Sequence, residues 1–518
     1  MDEQSIAALQ RPPAWPHPVS SVELIETHIS WVLLTGEYAY KIKKPVNFGF
    51  LDFSSLDKRQ HCCEEEVRLN RRLAPQVYLD VVPICGEPGA PVVDGDGPVL
   101  DYAVRMCQFD TQQGFDRLLQ RGELDGTHIK RVATILADFH DSAEHAAPDS
   151  GFGTSAAVYV PVQENFDQIR PNLDQQVEDP RIRDLFATLE DWSQEASRQL
   201  KNVFNQRLAD GLVRECHGDL HLRNIVYWRG EIIPFDCIEF NPGLRWIDVM
   251  SELAFFLMDL DDHGRSDLAG RLLNDYLQLT GDYQGLQVLR FYQVYRALVR
   301  AKVASLRLAQ SPANALEETA DLIKYLELAD AYTRPGTAKL AIAHGLSGSG
   351  KTWVSDQLLE HSEIVRLRSD VERKRMHGLK VLEKSGSADT ADIYTPEATG
   401  KTYAMLLELA TQLTGWGYAV LVDAAFLKAA ERDTFRRLAQ GSGIPFAIMH
   451  CVTEPDVQRQ RVERRSKRAD DASEADLAVL DMQQRNQEPL SQAELDEVIS
   501  IDTTHQPALE EMLDFLES

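Results

Sequence analysis

The sequence predicts two domains, an α+β domain over residues 1–333 and an α/β domain with a parallel sheet over residues 338–518. Three observations carry this prediction. At 518 residues the chain is long for a single hydrophobic core. The segment 331–340, "AYTRPGTAKL", places Pro335 and Gly336 in a break between helical patterns. Beyond the break, short apolar strand candidates alternate with helices, which is typical of a parallel sheet.

The first domain divides into a small lobe at about residues 20–110 and a helical lobe at about residues 111–333. In the small lobe, β-rich pieces such as "WVLL" and "YAYKIKKPV" flank one charged helical pattern. The segment "EPGAPVVDGDGPVLDYAVRMCQF" predicts a hairpin with its turn at Asp94–Gly97. Long helical patterns follow, interrupted by a strand-rich segment over residues 213–240. This order of elements is the one expected of a kinase-like fold.

Composition limits the classes of function. The net charge of −27 comes from 54 Lys+Arg against 81 Asp+Glu and opposes general binding to nucleic acid or anionic membrane. The seven scattered cysteines are typical of reduced thiols in a cytosol. The N-terminus does not have the pattern of a signal peptide, and no run approaches the about 20 apolar residues of a membrane span. We expect a cytoplasmic protein without nucleic-acid or membrane partners, and the sequence leaves its oligomeric state open.

The second domain begins with a phosphate-binding loop. Its letters "GLSGSGKT" match GxxxxGK[ST] in full, between an apolar strand and a helix. Such a loop lets backbone N–H groups surround a phosphate at a helix N-terminus, so we expect ATP to bind here. Lys351 is predicted to neutralise the β- and γ-phosphate oxygens, and Thr352 to hold Mg²⁺. The predicted nucleotide-binding residues are Gly345, Ser347, Gly348, Ser349, Gly350, Lys351 and Thr352.

Two acids follow strand candidates of this domain. Asp423 closes "YAVLVD" and is predicted to be a second Mg²⁺ ligand, bridged through water. Asp370 in "LRSDVERKR" follows the next strand candidate after the loop. Because parallel sheets bind ligands beyond the carboxyl ends of their strands, Asp370 is predicted to act on the acceptor side, as base or hydroxyl anchor. The alternative is that Asp370 only caps a helix.

An arginine stripe follows the fourth strand candidate. In "DVQRQRVERRSKR" the arginines 461, 464, 465 and 468 fall on one helical face. Beside a P-loop, such a stripe is predicted to stabilise charge on the transferring phosphoryl group, with Arg461, Arg464 and Arg468 as catalytic candidates. The alternative is a solvated surface face.

This domain resembles the small P-loop kinases of the gluconate-kinase, zeta-toxin and polynucleotide-kinase type. Those enzymes pair a GxSGxGK[ST] loop with an aspartate after the second strand and an arginine lid. The resemblance implies phosphoryl transfer from ATP to a hydroxyl.

The segment "VRECHGDLHLRNIVYWRGEIIPFDCIEF" (residues 213–240) predicts a second phosphotransfer centre. If the Arg-Gly pair at 229–230 forms a two-residue turn, the residue before Asp236 lies opposite Asn224. The hairpin then brings an amide oxygen and a carboxylate together at its open end, as a Mg²⁺ site on ATP requires. Asp219, just before the hairpin, is placed to accept a proton from a substrate hydroxyl.

Here the chain resembles the aminoglycoside phosphotransferase and choline kinase branch of the protein-kinase-like fold. The resemblance implies that Asp219 is the catalytic base, that Asn224 and Asp236 are metal ligands, and that Glu239 is a further metal ligand. It also implies that Asp248 braces the catalytic loop. The His-Gly-Asp order lacks the arginine that reads a phosphorylated activation loop in protein kinases, which favours a small-molecule kinase.

A kinase-like small lobe needs a lysine for the α- and β-phosphates and a helix glutamate that orients it. Lys41 and Lys43 lie on one face of a strand candidate, and Glu65 and Glu66 lie in the helical pattern. The "AYK" pattern favours Lys41, and Glu66 is the predicted partner; Lys43 stays a candidate for the cofactor site. No GxGxxG precedes these lysines.

The whole pattern resembles bacterial fusions of an aminoglycoside phosphotransferase-like domain with a P-loop kinase-like domain. It implies an ATP/Mg²⁺-dependent, bifunctional phosphotransferase that acts on hydroxyls of small metabolites such as a sugar or sugar phosphate. Two alternatives stay open: a regulatory ATP-binding protein or protein kinase that uses one site as a sensor, and an aminoglycoside-inactivating phosphotransferase. A helical face with Arg296, Arg300 and Arg307 indicates either salt bridges or a cleft for an anionic substrate.

Overall fold

The computed structural model describes residues 1–49, 51–310, 315–385, 393–468 and 471–517, without the side chains of residues 310 and 466–468. The small lobe contains α1 (Glu3–Leu9), β1 (Glu23–Glu26), β2 (Ser30–Leu34), β3 (Tyr38–Lys43), α2 (Leu56–Asn70), β4 (Tyr78–Glu87), β5 (Ala90–Val93) and β6 (Val99–Cys107). The strands form an antiparallel sheet in the order β1-β2-β3-β6-β4-β5, and α2 packs on β4 and β6. This places the lysines of β3 opposite the glutamates of α2.

The predicted hairpin turn at Asp94–Gly97 is wrong. Strand β4 pairs with β5 from Ile84↔Val93 to Glu87↔Ala90, so the tight turn lies one strand earlier, at Pro88-Gly89. Strand β6 pairs with β3 and β4 instead of β5. The long strand β6 buries Ala103 and Val104 and takes the centre of the sheet, whereas the short, half-exposed β5 takes its edge. The glycine-rich segment is therefore a connection from the edge of the sheet back to its centre.

The helical lobe surrounds a small β-rich core. It contains α3 (Phe115–Gln120), α4 (Gly126–Ser142), α5 (Ser155–Gln176), α6 (Pro180–Gln199), α7 (Lys201–Ala209), β7 (Val213–Glu215), β8 (Ile225–Trp228), β9 (Glu231–Pro234), β10 (Trp246–Asp248), α8 (Val249–Asp262), α9 (Ser266–Thr280), α10 (Leu286–Gln310) and α11 (Ala315–Thr333). Helix α8 is buried along nearly its whole length because α9 and α10 pack against it. The short strands β7–β10 lie beside this core and carry the segment with the predicted catalytic residues.

The C-terminal part is an α/β unit with a five-stranded parallel sheet in the order β12-β13-β11-β14-β15. It contains β11 (Lys339–His344), α12 (Lys351–Leu358), β12 (Ile364–Arg368), α13 (Ser369–Met376), α14 (Pro396–Gly415), β13 (Ala419–Asp423), α15 (Ala429–Ser442), β14 (Phe446–Val452), α16 (Pro455–Arg468), α17 (Leu477–Asn486), β15 (Val498–Asp502) and α18 (Glu510–Glu517). The phosphate-binding loop joins the central strand β11 to α12. The predicted fold class, a kinase-like part followed by a parallel P-loop unit, is confirmed.

The two parts share one continuous hydrophobic core, in which helix α9 packs on the edge strand β12. The buried side chain of Asn274 on α9 acts as an extra strand partner. Its Nδ2 donates to the Ile364 carbonyl at 2.8 Å, and its Oδ1 accepts from the Arg366 N–H at 2.8 Å. These bonds satisfy backbone groups that an uncovered edge strand leaves open. Within the described residues, no helix is both long and apolar enough to span a membrane.

Replacing Asn274 with alanine is expected to lower the free energy of unfolding by about 2–4 kcal/mol, because one buried N–H and one buried carbonyl lose their partners. Urea titration followed by tryptophan fluorescence measures this change. Asn202 is exposed on α7, so the control variant Asn202→Ala should stay within about 0.5 kcal/mol of the wild type. Equal stability of Asn274→Ala and wild type would contradict the role of Asn274 at this interface.

Candidate active sites

The loop from β7 to β8, which carries the predicted base Asp219, is fixed by its backbone. Gly218 has φ +91°, and a Cβ at this position would lie 2.8 Å from the Leu244 carbonyl oxygen. Its N–H donates to the Glu252 carboxylate at 2.7 Å. The side chain of His217 is buried and its Nε2 lies 2.8 Å from the Phe235 carbonyl oxygen. The glycine of the His-Gly-Asp order is therefore required by the backbone conformation and by the lack of room for a side chain.

Asp219 lies at the surface of this loop with its side chain 37% exposed. The Asn224 Nδ2 donates to the Asp219 backbone oxygen at 2.9 Å and to its Oδ2 at 3.1 Å, and His221 Nε2 lies 3.4 Å from the same Oδ2. Burial alone raises the pKa of Asp219, but the charges of His221 and Arg300 hold this pKa below its ordinary value. Asp219 is therefore ionised at neutral pH and able to accept a hydrogen bond from a hydroxyl.

The β8–β9 hairpin has the predicted register. The Phe235 N–H donates to the Asn224 carbonyl at 2.9 Å, and the turn residues Arg229 and Gly230 both have positive φ, 52° and 84°. These angles are the ones a two-residue hairpin turn requires. Asp236 follows directly with φ 67° and a side chain that is 42% exposed. Left-handed backbone at a non-glycine residue is a feature that collects at functional sites.

Lys41, Lys43 and Glu66 of the small lobe form a network with two acids that follow the β8–β9 hairpin, Asp236 and Glu239. Lys41 Nζ lies 2.8 Å from Glu66 Oε1 and 2.6 Å from Asp236 Oδ1. Lys43 Nζ lies 2.7 Å from the other oxygen of Glu66 and also contacts Glu239. Burial raises the pKa of Glu66 but the two lysines together lower it to about 2. Lys41 is thus the lysine that joins helix α2 to Asp236 after the hairpin.

Two other acids that the sequence analysis singled out, Glu65 and Glu239, have different partners. Glu65 points to the outer face of α2, where Arg68 Nε donates to it at 2.8 Å. Glu239 is buried and ion-paired with Lys43, and burial raises the pKa of its carboxyl more than Lys43 lowers it. The structure gives the Glu239 carboxylate to Lys43 instead of leaving it free for a metal ion. Glu239 therefore closes the lysine network, and its role as a metal ligand stays a prediction.

Two further predicted features act as braces. Asp248 caps α8 and pairs with the buried Arg207, whose Nε lies 2.6 Å from Asp248 Oδ2. Arg300 pairs with Asp259 at 2.6 Å, and Arg296 donates to the Gly218 carbonyl at 3.1 Å. The salt-bridge interpretation of the arginine face on α10 thus fits Arg300, and Arg296 holds the catalytic loop from behind.

The phosphate-binding loop folds around its own lysine. Lys351 Nζ donates to the backbone oxygens of Gly345 and Leu346 at 2.8 and 3.0 Å. Gly345, Gly348 and Gly350 all have positive φ, and a Cβ on Gly350 would lie 2.7 Å from Thr503 Oγ1. Beta-carbons do not fit at these three glycine positions, which leaves backbone N–H groups accessible to a phosphate.

Three polar residues complete the phosphate end of the loop. Thr352 Oγ1 donates to Asp423 Oδ2 at 3.0 Å, which brings together the two predicted Mg²⁺ ligands. The buried Ser349 Oγ has no hydrogen-bond partner among the described residues. The Ser347 N–H donates to Gln483 Oε1 at 2.8 Å. An unpartnered buried hydroxyl fits a site that is completed by a phosphate oxygen.

A cavity of about 700 Å³ opens in front of this loop. The predicted residues Lys351, Thr352, Asp370 and Asp423 all line it. Asp370 lies in the first turn of α13, directly after β12. The volume lies within the range of small-molecule sites, and its walls combine acids with several cations.

The arginine stripe of α16 divides between the cavity and solvent. Arg461 and Arg465 line the cavity, whereas Arg464 is exposed and lies outside its lining. Side chains four residues apart on a helix point only about 40° apart, so Arg465 points nearly the same way as Arg461. Arg464, three residues after Arg461, points about 60° to the other side. The predicted catalytic residue Arg464 thus faces away from the cavity, which Arg465 lines in its place, and the side chain of Arg468 lies outside the described residues.

The sequence analysis missed two arginines that also line the cavity, Arg368 and Arg373. Arg368 ends β12 and lies 3.2 Å from Asp471 and 3.8 Å from Asp423, so it orients the strand-end acid. Arg373 lies on α13, three residues after Asp370. Both belong to "LRSDVERKR", and their position after a parallel strand was the signal that could have found them.

Comparisons with known proteins found a family match in the C-terminal part of the chain and a relative along most of its length. Residues 340–490 match the family model of an AAA domain. An uncharacterized protein of Mycobacterium tuberculosis is 29% identical over 467 residues, which cover 90% of this chain and 91% of that protein. The family match and the two topologies confirm the resemblance to a kinase-like part followed by a P-loop domain.

Two solved structures are similar to part of the chain. A choline/ethanolamine kinase family protein from Mesorhizobium loti is 12% identical, with 64% of this chain and 94% of that chain covered and a TM-score of 0.38. A sugar kinase from a Janibacter species is 18% identical, with 35% of this chain and 95% of that chain covered and a TM-score of 0.26.

Proposed function

We propose that this chain is an ATP/Mg²⁺-dependent phosphotransferase with two centres, each of which transfers the γ-phosphoryl group to a hydroxyl of a small molecule. The observation that carries the proposal is the completeness of both centres. Asp219, Asn224 and Asp236 lie together with the Lys41–Glu66 pair in the first. In the second, the phosphate-binding loop with Lys351 stands beside the bonded Thr352 and Asp423, with Asp370 in the same cavity. A binding protein that only senses ATP needs no acceptor-side acid in either place.

The residues of both centres fit a magnesium ion. In the first centre the Asn224 Nδ2 is used by Asp219, and the hairpin register places Asn224 next to Asp236, whose side chain is partly exposed. In the second, Thr352 Oγ1 and Asp423 Oδ2 lie 3.0 Å apart. Carboxylate, amide and hydroxyl oxygens are the ligands that Mg²⁺ prefers. When bound, the ion would neutralise the charge on the β- and γ-phosphate oxygens.

In the first centre the residues of this chain position the two reactants. Lys41 is oriented by Glu66 and placed for the α- and β-phosphates. Asp219 is ionised and held by Asn224, so it orients the acceptor hydroxyl and receives its proton. The Glu252 carboxylate accepts a hydrogen bond from the Gly218 N–H and thereby fixes the backbone directly before Asp219.

In the second centre the loop binds the nucleotide and α16 covers its phosphates. Arg461 and Arg465 line the cavity from α16, where they face the charge that develops on the transferring group. Burial lowers the pKa of Lys351 more than the nearby Asp423 raises it. A phosphate bound beside this lysine would stabilise its charged form. Asp370 stands across the cavity as anchor or base for the acceptor hydroxyl.

The proposal predicts ADP formation that depends on a small-molecule acceptor. The measurement uses the full chain with ATP and Mg²⁺ and a panel of sugars, sugar acids, sugar phosphates, nucleosides and aminoglycosides, followed by coupled ADP detection. We expect turnover with at least one non-aminoglycoside compound and loss of that turnover with EDTA. Turnover with aminoglycosides and no other compound would favour antibiotic inactivation, and phosphate found on protein with no turnover would favour a regulatory kinase.

A further inference from the structure

The segment that follows the β8–β9 hairpin is bonded to both lobes of the first part. The N–H groups at positions 235 and 238 donate to backbone carbonyls of the helical lobe, at 2.9 and 3.0 Å. The two N–H groups between them, of Asp236 and Cys237, donate instead to side chains of the small lobe. The backbone at the predicted metal acid is therefore held by the small lobe, although the chain reaches it from the hairpin.

Tyr78 holds the N–H of Asp236. Its side chain is buried, and its hydroxyl oxygen accepts a hydrogen bond from this N–H at 3.2 Å. Tyr78 begins β4 opposite Met106, and the next pair of β4 and β6 is Asp80 with Arg105, so one extra residue lies in β4. Such a bulge re-aims a side chain and is frequent next to active sites. The sheet is thus irregular directly after the residue that reaches the predicted metal acid.

Asn70 holds the N–H of Cys237. It is the last residue of α2, and its side chain is fully buried. Its Nδ2 donates to the Glu66 carbonyl at 2.9 Å, and its Oδ1 accepts from the Cys237 N–H at 2.9 Å. Glu66 also pairs with Lys41. One turn of α2 therefore bonds both the predicted nucleotide lysine and the segment of the predicted metal acid.

The backbone of Asp236 needs this support because it is left-handed, with φ 67°. A residue with a side chain keeps such a conformation only where its surroundings fix it. Tyr78 and Asn70 bond two consecutive N–H groups there, and Lys41 bonds the Asp236 Oδ1 at 2.6 Å. Together these contacts determine the direction in which the carboxylate points.

We propose that Tyr78 and Asn70 are positioning residues of the first centre, which hold Asp236 in its left-handed conformation so that its carboxylate is directed at the Mg²⁺ ion bound with ATP. This proposal rests on the proposed function of that centre. Asp236 touches the ion, and Tyr78 and Asn70 act through the backbone of Asp236 and the residue after it. The small lobe thus completes a metal site whose ligands belong to the other lobe.

The test uses Lys351→Ala, which should leave the first centre as the single site for the non-hydrolysable ATP analogue AMPPNP. Calorimetric titration of AMPPNP at a series of Mg²⁺ concentrations gives the concentration at which its affinity is half-maximal. Adding Tyr78→Phe, which removes one hydroxyl, should raise this concentration about 10-fold, as expected for an outer partner of a metal ligand. One site per chain and the affinity at saturating Mg²⁺ should be retained.

Tyr40→Phe in the same Lys351→Ala chain is the matched control. Tyr40 is also buried and its hydroxyl lies 3.1 Å from His17 Nε2, but it precedes Lys41 on β3 and so lies on the other face of the sheet. This variant should keep the Mg²⁺ dependence unchanged. Asn70→Ala should shift the dependence in the same direction as Tyr78→Phe, which keeps the test valid if Asn70→Ala does not fold.

Two results would overturn the proposal. One is an equal Mg²⁺ dependence with and without Tyr78→Phe. The other is binding that is weakened to the same degree at every Mg²⁺ concentration, because this would show a structural role for the Tyr78 hydroxyl that does not act on the metal site. Absence of AMPPNP binding in Lys351→Ala itself would overturn the proposed function of the first centre, so the two failures are distinguishable.

Discussion

Replacing Asp219 with asparagine is expected to reduce turnover at the first centre by about 10²- to 10⁴-fold. The substitution keeps the size of the side chain, but it removes the charge that accepts the hydroxyl proton. It also replaces the oxygen that accepts from the Asn224 Nδ2 at 3.1 Å with a group that can present a nitrogen. Nucleotide binding should persist, because Lys41 and Asp236 are unchanged. Turnover of the acceptor identified for this centre and AMPPNP titration measure the two properties separately.

Asp141 provides the matched control for this substitution. It lies exposed on α4, outside both centres, so Asp141→Asn should turn over at the wild-type rate. Asp236→Asn gives a second comparison, because Asp236 pairs with Lys41 and lies next to Asn224 in the hairpin register. This variant should raise the Mg²⁺ concentration needed for half-maximal turnover, whereas Asp219→Asn should leave it unchanged. Full activity of Asp219→Asn would remove the base from the proposed mechanism.

Local rules predicted the geometry of the first centre well. The Arg229–Gly230 turn fixes the hairpin register, and the register alone brings Asp236 next to Asn224. The same holds for the phosphate-binding loop, whose glycines are required by positive φ angles within the loop itself. Both features arise from residues that are close in sequence, so the pattern of residue types contains the information needed to place them.

Predictions that depended on packing between distant elements were less successful. The sequence could not tell that β5 takes the sheet edge, because strand order is decided by which strand buries more side chains. Glu239 was grouped with the metal ligands because it follows Asp236 by three residues, yet Lys43 from another strand takes its carboxylate. The helical spacing predicted four arginines on one face of α16, but only the position of the P-loop decides that Arg465 and not Arg464 reaches the cavity.

The contact between the two parts was also invisible to sequence patterns. Helix α13, which bears Asp370 and Arg373, is held from behind by the helical lobe: the Tyr283 hydroxyl donates to Glu372 at 2.9 Å. Glu372 and Tyr283 are 89 residues apart, and neither belongs to a motif. This contact fixes the acceptor wall of the second centre to the first part of the chain, so the two centres share a structural frame although their residues do not mix.

Replacing Lys351 with alanine is therefore expected to reduce turnover at the second centre by at least about 10²-fold while the first centre keeps its rate. Lys351 Nζ lies at the centre of the phosphate-binding loop, bonded to two of its carbonyl oxygens, and no other cation occupies that position among the described residues. Calorimetric titration with AMPPNP should find two sites per chain in the wild type and one in Lys351→Ala.

The exposed Lys401 on α14, paired with Glu397, supplies the control, and Lys401→Ala should keep both sites and both rates.

The combination of Lys351→Ala with Asp219→Asn decides whether the chain has two independent centres. Each single variant should abolish turnover of its own acceptor alone, and the double variant should abolish both, because no residue of one centre bonds a reacting group of the other. Loss of both activities in either single variant would mean that product passes obligatorily from one centre to the next. A single AMPPNP site in the wild type would instead show that one of the two kinase-like parts does not bind nucleotide.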